Sequence, residues 1–188
     1  MKLNIKPIYL HSRIIPFEGF KAITILFFVI IRKKKNLHGD WVRQTLTPIE
    51  ERHETWHVWQ QLCLLALGVV CAAITHFALW LADVPNAAWV WVLPIALPLG
   101  IYVVCWLAEL LLPPYATAYK DICFESEAQF HEYDENPRYV PFSFIFFIPN
   151  KRYPNTYWCI GEEYFNSGGK YSKEDLREKY KFLRILGY

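Results

Sequence analysis

Residues 47–61 read Thr47-Pro48-Ile49-Glu50-Glu51-Arg52-His53-Glu54-Thr55-Trp56-His57-Val58-Trp59-Gln60-Gln61. Thr47 is a good helix N-cap, Pro48 suits the first helical position, and Glu50 completes a T-x-x-E capping box. The stretch therefore opens a helix about one turn before His53. Residues four apart share a helix face, so His53 and His57 can reach one metal ion while Glu54 projects beside them. A carboxylate placed there can take a proton from zinc-bound water, whose pKa the metal lowers to about 7. A solvated polar helix end could carry the same letters. The marked helix start, together with acidic residues downstream able to supply a third ligand, weighs towards a metal site.

Directly after this motif the chain turns apolar. Between Val58 and Leu112 the only ionisable residues, cysteine and tyrosine aside, are His76, Asp83 and Glu109, and all 20 Lys and Arg lie outside that span. Residues 58–82 and 87–112 are each longer than the roughly 20 residues that cross a 30 Å hydrocarbon core. The connection Asp83-Val84-Pro85-Asn86 is short and helix-breaking, which predicts an antiparallel transmembrane hairpin. Trp80, Trp89 and Trp91 then mark the far interface, and Pro94 and Pro98 kink the second helix or displace its start. With every Lys and Arg on the side of the termini, that side, the HExxH motif included, is expected to be cytoplasmic. The lipid bilayer is thus the first expected partner. A net charge of +2 without a continuous basic groove gives no argument for nucleic acid. Five cysteines without a CxxC pair suggest neither a zinc knuckle nor a disulfide framework.

Upstream, residues 1–20 lack the apolar core of a signal peptide. Ala22–Ile31 (AITILFFVII) is too short to span as a helix and reads as one buried strand, ended by Arg32-Lys33-Lys34-Lys35. Ile8–Ile15 is expected to pair with it across the turn Pro16-Phe17-Glu18-Gly19 as a β-hairpin. Downstream, Pro113-Pro114 closes the second span and residues 116–133 read as a further helix, stopped by Asn136-Pro137. Residues 141–188 form an aromatic-rich extension, with a short terminal helix capped at Ser172 and running to about Arg184.

A catalytic zinc needs a third protein ligand and an open position. Glu125, Glu127 and Glu109 are the candidates. Glu127 is two residues from Glu125 and so on another face, while Glu109 lies in the returning span at a depth comparable to Gln61, which it could meet by a hydrogen bond. His131 reads best as a solvated helix-end residue. His76, about five turns from His57, is too deep to share the metal and suits a bond between helices.

The HExxH helix, the apolar hairpin and the return with Glu125-Ser126-Glu127-Ala128 (E-x-x-A) resemble the integral-membrane gluzincins, the group of CAAX prenyl endopeptidases and the heat-shock membrane protease. That resemblance implies His53, His57 and Glu125 as zinc ligands and Glu54 as general base. Gln129 stands where that family carries an Asp. A closer likeness, over roughly residues 10–140, is to small bacterial membrane proteins of the HExxH type. These combine a strand ending in Arg (Val29-Ile30-Ile31-Arg32), the stretch from His53 to Gln61, and an A-Y-x-x-I-x-F-E-x-E-A segment (Ala118–Ala128).

Together these readings predict a mainly α membrane protein: a two-helix transmembrane hairpin, a zincin-like HExxH helix and a small α+β cytoplasmic portion. The membrane-embedded domain covers residues 1–140. The implied activity is zinc-dependent hydrolysis of a peptide or membrane-protein substrate at the cytoplasmic face, with strand 22–31 able to hold substrate as an added strand. The alternatives are a non-catalytic metal-binding scaffold and a zinc amidase acting on a non-peptide substrate. A site closed by four protein ligands would indicate the scaffold.

Overall fold

The computed structural model describes residues 5–16, 20–111, 122–135 and 139–147, together with 175 and 178. The protein is mostly helical, with two long apolar helices and a small sheet region. Its spine is helix α1, Pro48–Leu81, a single element of 34 residues that carries both the HExxH motif and the first apolar stretch. The capping box forms as its letters predict. The Thr47 hydroxyl accepts the Glu50 N–H (3.3 Å), and the Glu50 carboxylate accepts the Thr47 N–H (2.7 Å). Glu50 also binds the Lys21 ammonium at 2.6 Å, which ties the helix start to the strand region.

After α1 the chain turns through Asp83 (φ 54°) and Asn86 (φ 60°) and runs as a 3-10 segment, Ala87–Val92. Helix α2 follows, Leu93–Leu111. The expected second helix is therefore displaced at its start. Pro94 falls in the first turn of α2, where a missing N–H is harmless, and Pro98 lies within the helix. The two helices come close at Gly68, where an added Cβ would sit 2.6 Å from Pro94 Cα.

Both helices are long and apolar enough to cross a membrane, and only 22% and 17% of their most apolar 18-residue stretches are buried. A core helix of a water-soluble protein would be mostly buried. Val70, Ile74, Phe77 and Trp80 of α1 and Val104 and Leu107 of α2 instead face outward, as do Trp89 and Trp91 at the connecting end.

The strand region departs from the expected hairpin. The stretch 22–31 is two strands, since Ala22–Ile25 (β2) and Phe28–Arg32 (β3) pair antiparallel around the two-residue loop Leu26-Phe27. Ile8–Ser12 (β1) lies parallel to β3, giving the order β1-β3-β2, and the expected turn lies partly outside the described residues. The cause is in α1. Leu26 adopts φ 56°, which L-residues avoid, and its N–H is taken by Gln61 Oε1 at 2.5 Å while Gln61 Nε2 donates to Thr24 O at 2.9 Å. Val29 and Ile31 alternate inward from β3 onto Val58, fixing the sheet against α1. A two-residue pairing of Lys34–Lys35 (β4) with Trp41–Val42 (β5) follows.

Helix α3, Cys123–His131, packs on α1 through Trp56, Phe124, Ala128 and Phe130. The 116–121 portion of the expected helix lies outside the described residues. A 3-10 segment, Ser143–Phe147, closes over this cluster, with Phe144 and Phe147 buried in it and Tyr139, Val140 and Phe142 packed against it. Within the expected terminal helix, Asp175 and Glu178 are helical.

Gly68 offers a paired test of the helix contact. Gly68→Ala must push α2 from α1 and should cost about 1–3 kcal/mol, read as a lower unfolding temperature in detergent. Gly100→Ala, with nothing within 4 Å of the added carbon, should be neutral or slightly stabilising.

Candidate metal centre

His53 and His57 stand one turn apart on α1, with ring centroids 4.8 Å apart and planes at 82°. Their Nε2 atoms face each other at 3.1 Å. Glu125, brought by the first turn of α3, closes the third corner. Its Oε2 is 3.3 Å from His53 Nε2 and its Oε1 3.3 Å from His57 Nε2. A tetrahedral ion with bonds of about 2.0–2.1 Å has ligand–ligand edges of about 3.3 Å, so this triangle has the size that such an ion requires.

The outer ring nitrogens make the stronger argument. His53 Nδ1 lies 3.1 Å from Glu132 Oε2, and His57 Nδ1 lies 2.9 Å from Gln60 Oε1. Both partners are acceptors, so each Nδ1 carries a proton, and each ring when neutral turns its Nε2 lone pair inward. Two lone pairs and a carboxylate converging on one point repel one another unless a positive charge sits between them. Glu125 shows the same preference. Burial would raise its pKa, yet the two imidazoles facing it, His57 foremost, hold its carboxyl well below the ordinary carboxylate range. Protons at the imidazoles can serve as that charge, as can a metal ion. His53, His57 and Glu125 thus fit a divalent ion, and among the described residues the group has three members.

Glu54 stays off the triangle. Its Oε2 accepts the Thr24 hydroxyl at 2.5 Å, which fixes the carboxylate between α1 and β2. Glu125 is held from behind by Tyr102 of α2, whose hydroxyl donates to Oε1 at 2.8 Å. Arg52 Nε binds Glu132 O at 2.6 Å and anchors the end of α3 beside His53.

Of the expected residues, the structure assembles His53, His57 and Glu125 and places Glu54 adjacent to them in the helix. Two of the alternatives, Glu127 and Gln61, are engaged elsewhere. Glu127 faces away from the triangle, with Oε2 accepting from Gln60 Nε2 at 2.7 Å and Oε1 accepting from the Ser143 hydroxyl. Gln61 clamps the β2–β3 turn instead of the metal. Glu109 lies in α2 two turns beyond Tyr102, and its side chain is outside the described residues. His131 is buried rather than solvated, bonded to Asp134 (2.7 Å) and packed on the Trp56 ring at 4.2 Å. His76 Nδ1 approaches Ala87 O at 3.4 Å, a contact across the helical connection.

Four contributors escaped the sequence reading: Thr24, Gln60, Tyr102 and Glu132. Glu132 had a usable signal. It lies seven residues after Glu125, two turns along one face, and its carboxylate reaches His53 Nδ1. Tyr102 is the only tyrosine in the two apolar stretches, an unusual hydroxyl there. Thr24 and Gln60 carried no distinguishing signal. No family profile, curated protein or solved structure matches this chain.

Metal analysis checks the triangle. The purified protein should carry about one divalent ion per chain, and His53→Ala, His57→Ala or Glu125→Ala should each lose it on dialysis, because two remaining ligands hold an ion poorly. Affinity should fall as the pH drops and protons compete for the imidazoles.

Proposed function

We propose that this protein is a zinc metallopeptidase working at the cytoplasmic face of a membrane. The observation that carries the reading is the convergence of His53 Nε2, His57 Nε2 and Glu125 at 3.1–3.3 Å on a helix that continues directly into an apolar stretch able to cross a bilayer. Two imidazoles and one carboxylate suit zinc and leave a coordination position for water or substrate, whereas a structural site is closed by four protein ligands. When bound, zinc supplies Lewis-acid polarisation of the scissile carbonyl and of water. The chain's own residues do the rest. Glu54, fixed by Thr24, takes the proton from the attacking water and returns it to the leaving amine. Tyr102 and Glu132 hold Glu125 and His53 in place.

The sheet supports a peptide as substrate. β2 is an end strand, and its Thr24 side chain reaches the presumed base. Because Ile25 pairs with Phe28 around the loop, Thr24 and Leu26 turn their backbone groups to the outer edge, where the Gln61 amide bonds both in the manner of a neighbouring strand. A substrate strand added to β2 would occupy that edge from Ala22 to Thr24, with Gln61 setting its limit. The resemblance to integral-membrane gluzincins points to the same chemistry.

Incubation with peptides derived from membrane proteins, with products read by mass spectrometry, tests the activity. The wild type should cleave. Glu54→Gln should retain the metal and lose about 10²–10⁴-fold in rate. A metal-loaded wild type that cleaves nothing would favour the scaffold reading. The topology is tested separately: reporters at either terminus should read cytoplasmic, and a tag between Asp83 and Asn86 should read external.

A further inference from the structure

His57 is the metal ligand whose surroundings are most completely specified, and the specification comes from outside its own helix. Its Nδ1 faces Gln60 Oε1 at 2.9 Å. That contact is a hydrogen bond only if Gln60 turns its carbonyl rather than its NH2 towards the ring. The other end of the amide decides the matter. Gln60 Nε2 lies 2.9 Å from the Phe124 carbonyl and 2.7 Å from Glu127 Oε2. A backbone carbonyl offers no proton, so the NH2 must face this pair and the amide cannot flip without setting oxygen against oxygen. The amide orientation makes His57 Nδ1 the donor, and its Nε2 is left as the lone pair pointing into the triangle.

Glu127 is itself fixed. It is fully buried, and its Oε1 is bound by the Ser143 hydroxyl, which also lies 2.8 Å from Val140 O. Ser143 belongs to residues 139–147, a segment seated on α1 and α3 by aromatic contacts. Tyr139 packs on Trp56 and Trp59, Phe144 packs on Phe124, and Trp59 Nε1 donates to Val140 O at 3.1 Å. A buried carboxylate is costly unless its oxygens are hydrogen-bonded, and here the bonds run to the amide that governs a metal ligand.

We propose that Ser143, Glu127 and Gln60 form a positioning chain that fixes the tautomer and ring orientation of His57, so that residues 139–147 are a working part of the metal centre. This rests on the metal-site reading above and is independent of whether the protein hydrolyses anything. Glu127 is the pivot. It accepts from the Gln60 amide and from Ser143, and together with the Phe124 carbonyl it holds that amide one way round.

The test is metal affinity, measured by chelator competition with zinc and cobalt on the full-length protein in detergent. Gln60→Leu removes the acceptor and should weaken binding about 10–100-fold. Glu127→Ala leaves only the Phe124 carbonyl to hold the amide and should weaken binding by less than Gln60→Leu does, while Glu127→Gln, whose carbonyl still accepts from Gln60, should stay near wild type. The double variant Gln60→Leu/Glu127→Ala should bind no worse than Gln60→Leu alone, because Glu127 has nothing left to act through. Equal affinity in wild type and Glu127→Ala overturns the proposal. So do losses that add in the double variant, or a Glu127→Gln as weak as Glu127→Ala, since either would mean packing or charge rather than amide orientation. One reading needs no variant to fold: histidine 15N spectra of the metal-loaded wild type should show His57 coordinated through Nε2 with Nδ1 protonated. Coordination through Nδ1 overturns the chain. A wild type that binds neither metal overturns the metal centre itself, an outcome distinct from variants that bind like wild type.

Discussion

Two imidazole Nε2 atoms 3.1 Å apart and a buried carboxylate converge on one small space, which requires a positive charge there, carried by protons on the imidazoles or by a metal ion. Most of the surrounding structure serves that constraint. The outer nitrogens of both rings are taken by acceptors, and the carboxylate is pinned by a tyrosine hydroxyl and drawn well below the ordinary carboxylate range by the facing imidazoles. Each of these contacts turns electron density inward.

The close approach of the two apolar helices has a direct bearing on this centre. Gly68 lets α2 come against α1 at Pro94. From Pro94, eight residues of α2 rise about 12 Å to Tyr102, and eleven residues of α1 run about 16 Å from Gly68 back to His57. The two helices thereby arrive near the same level, with the Tyr102 side chain long enough to reach Glu125. The packing of the apolar hairpin and the placement of the third ligand are therefore one geometric problem. A glycine about three turns below the metal site, far from any chemistry, thus sets the helix spacing across which Tyr102 reaches Glu125.

What the letters reveal follows the range of the interactions involved. The capping box, the i, i+4 histidines and the two apolar stretches are local patterns, each readable within a few turns, and the structure contains all of them. The register of Glu125 over Glu127 was legible only through resemblance, and the 3.3 Å approach of Glu125 to both imidazoles supports it. The break in the strand 22–31 had no local signal, because neither Leu26 nor Phe27 is a turn residue. The turn is held by Gln61, 35 residues away, and no window short enough to show a period could include both. The same holds for Glu127. Its letters suggest a ligand, and only the contacts of Gln60 and Ser143 show that its oxygens are already engaged.

Three groups at the centre are held by partners from other elements, Glu54 by Thr24 of β2, Glu125 by Tyr102 of α2 and His53 by Glu132 at the end of α3, while His57 is held by Gln60 of its own helix, whose amide is bound by Glu127 of α3. Such an arrangement makes the metal geometry a readout of the whole fold. Loosening the sheet should release the base without touching the ligands, whereas loosening residues 139–147 should disturb a ligand without touching the base. Binding and hydrolysis can therefore fail separately, which a site built from one helix and its immediate neighbours would not permit.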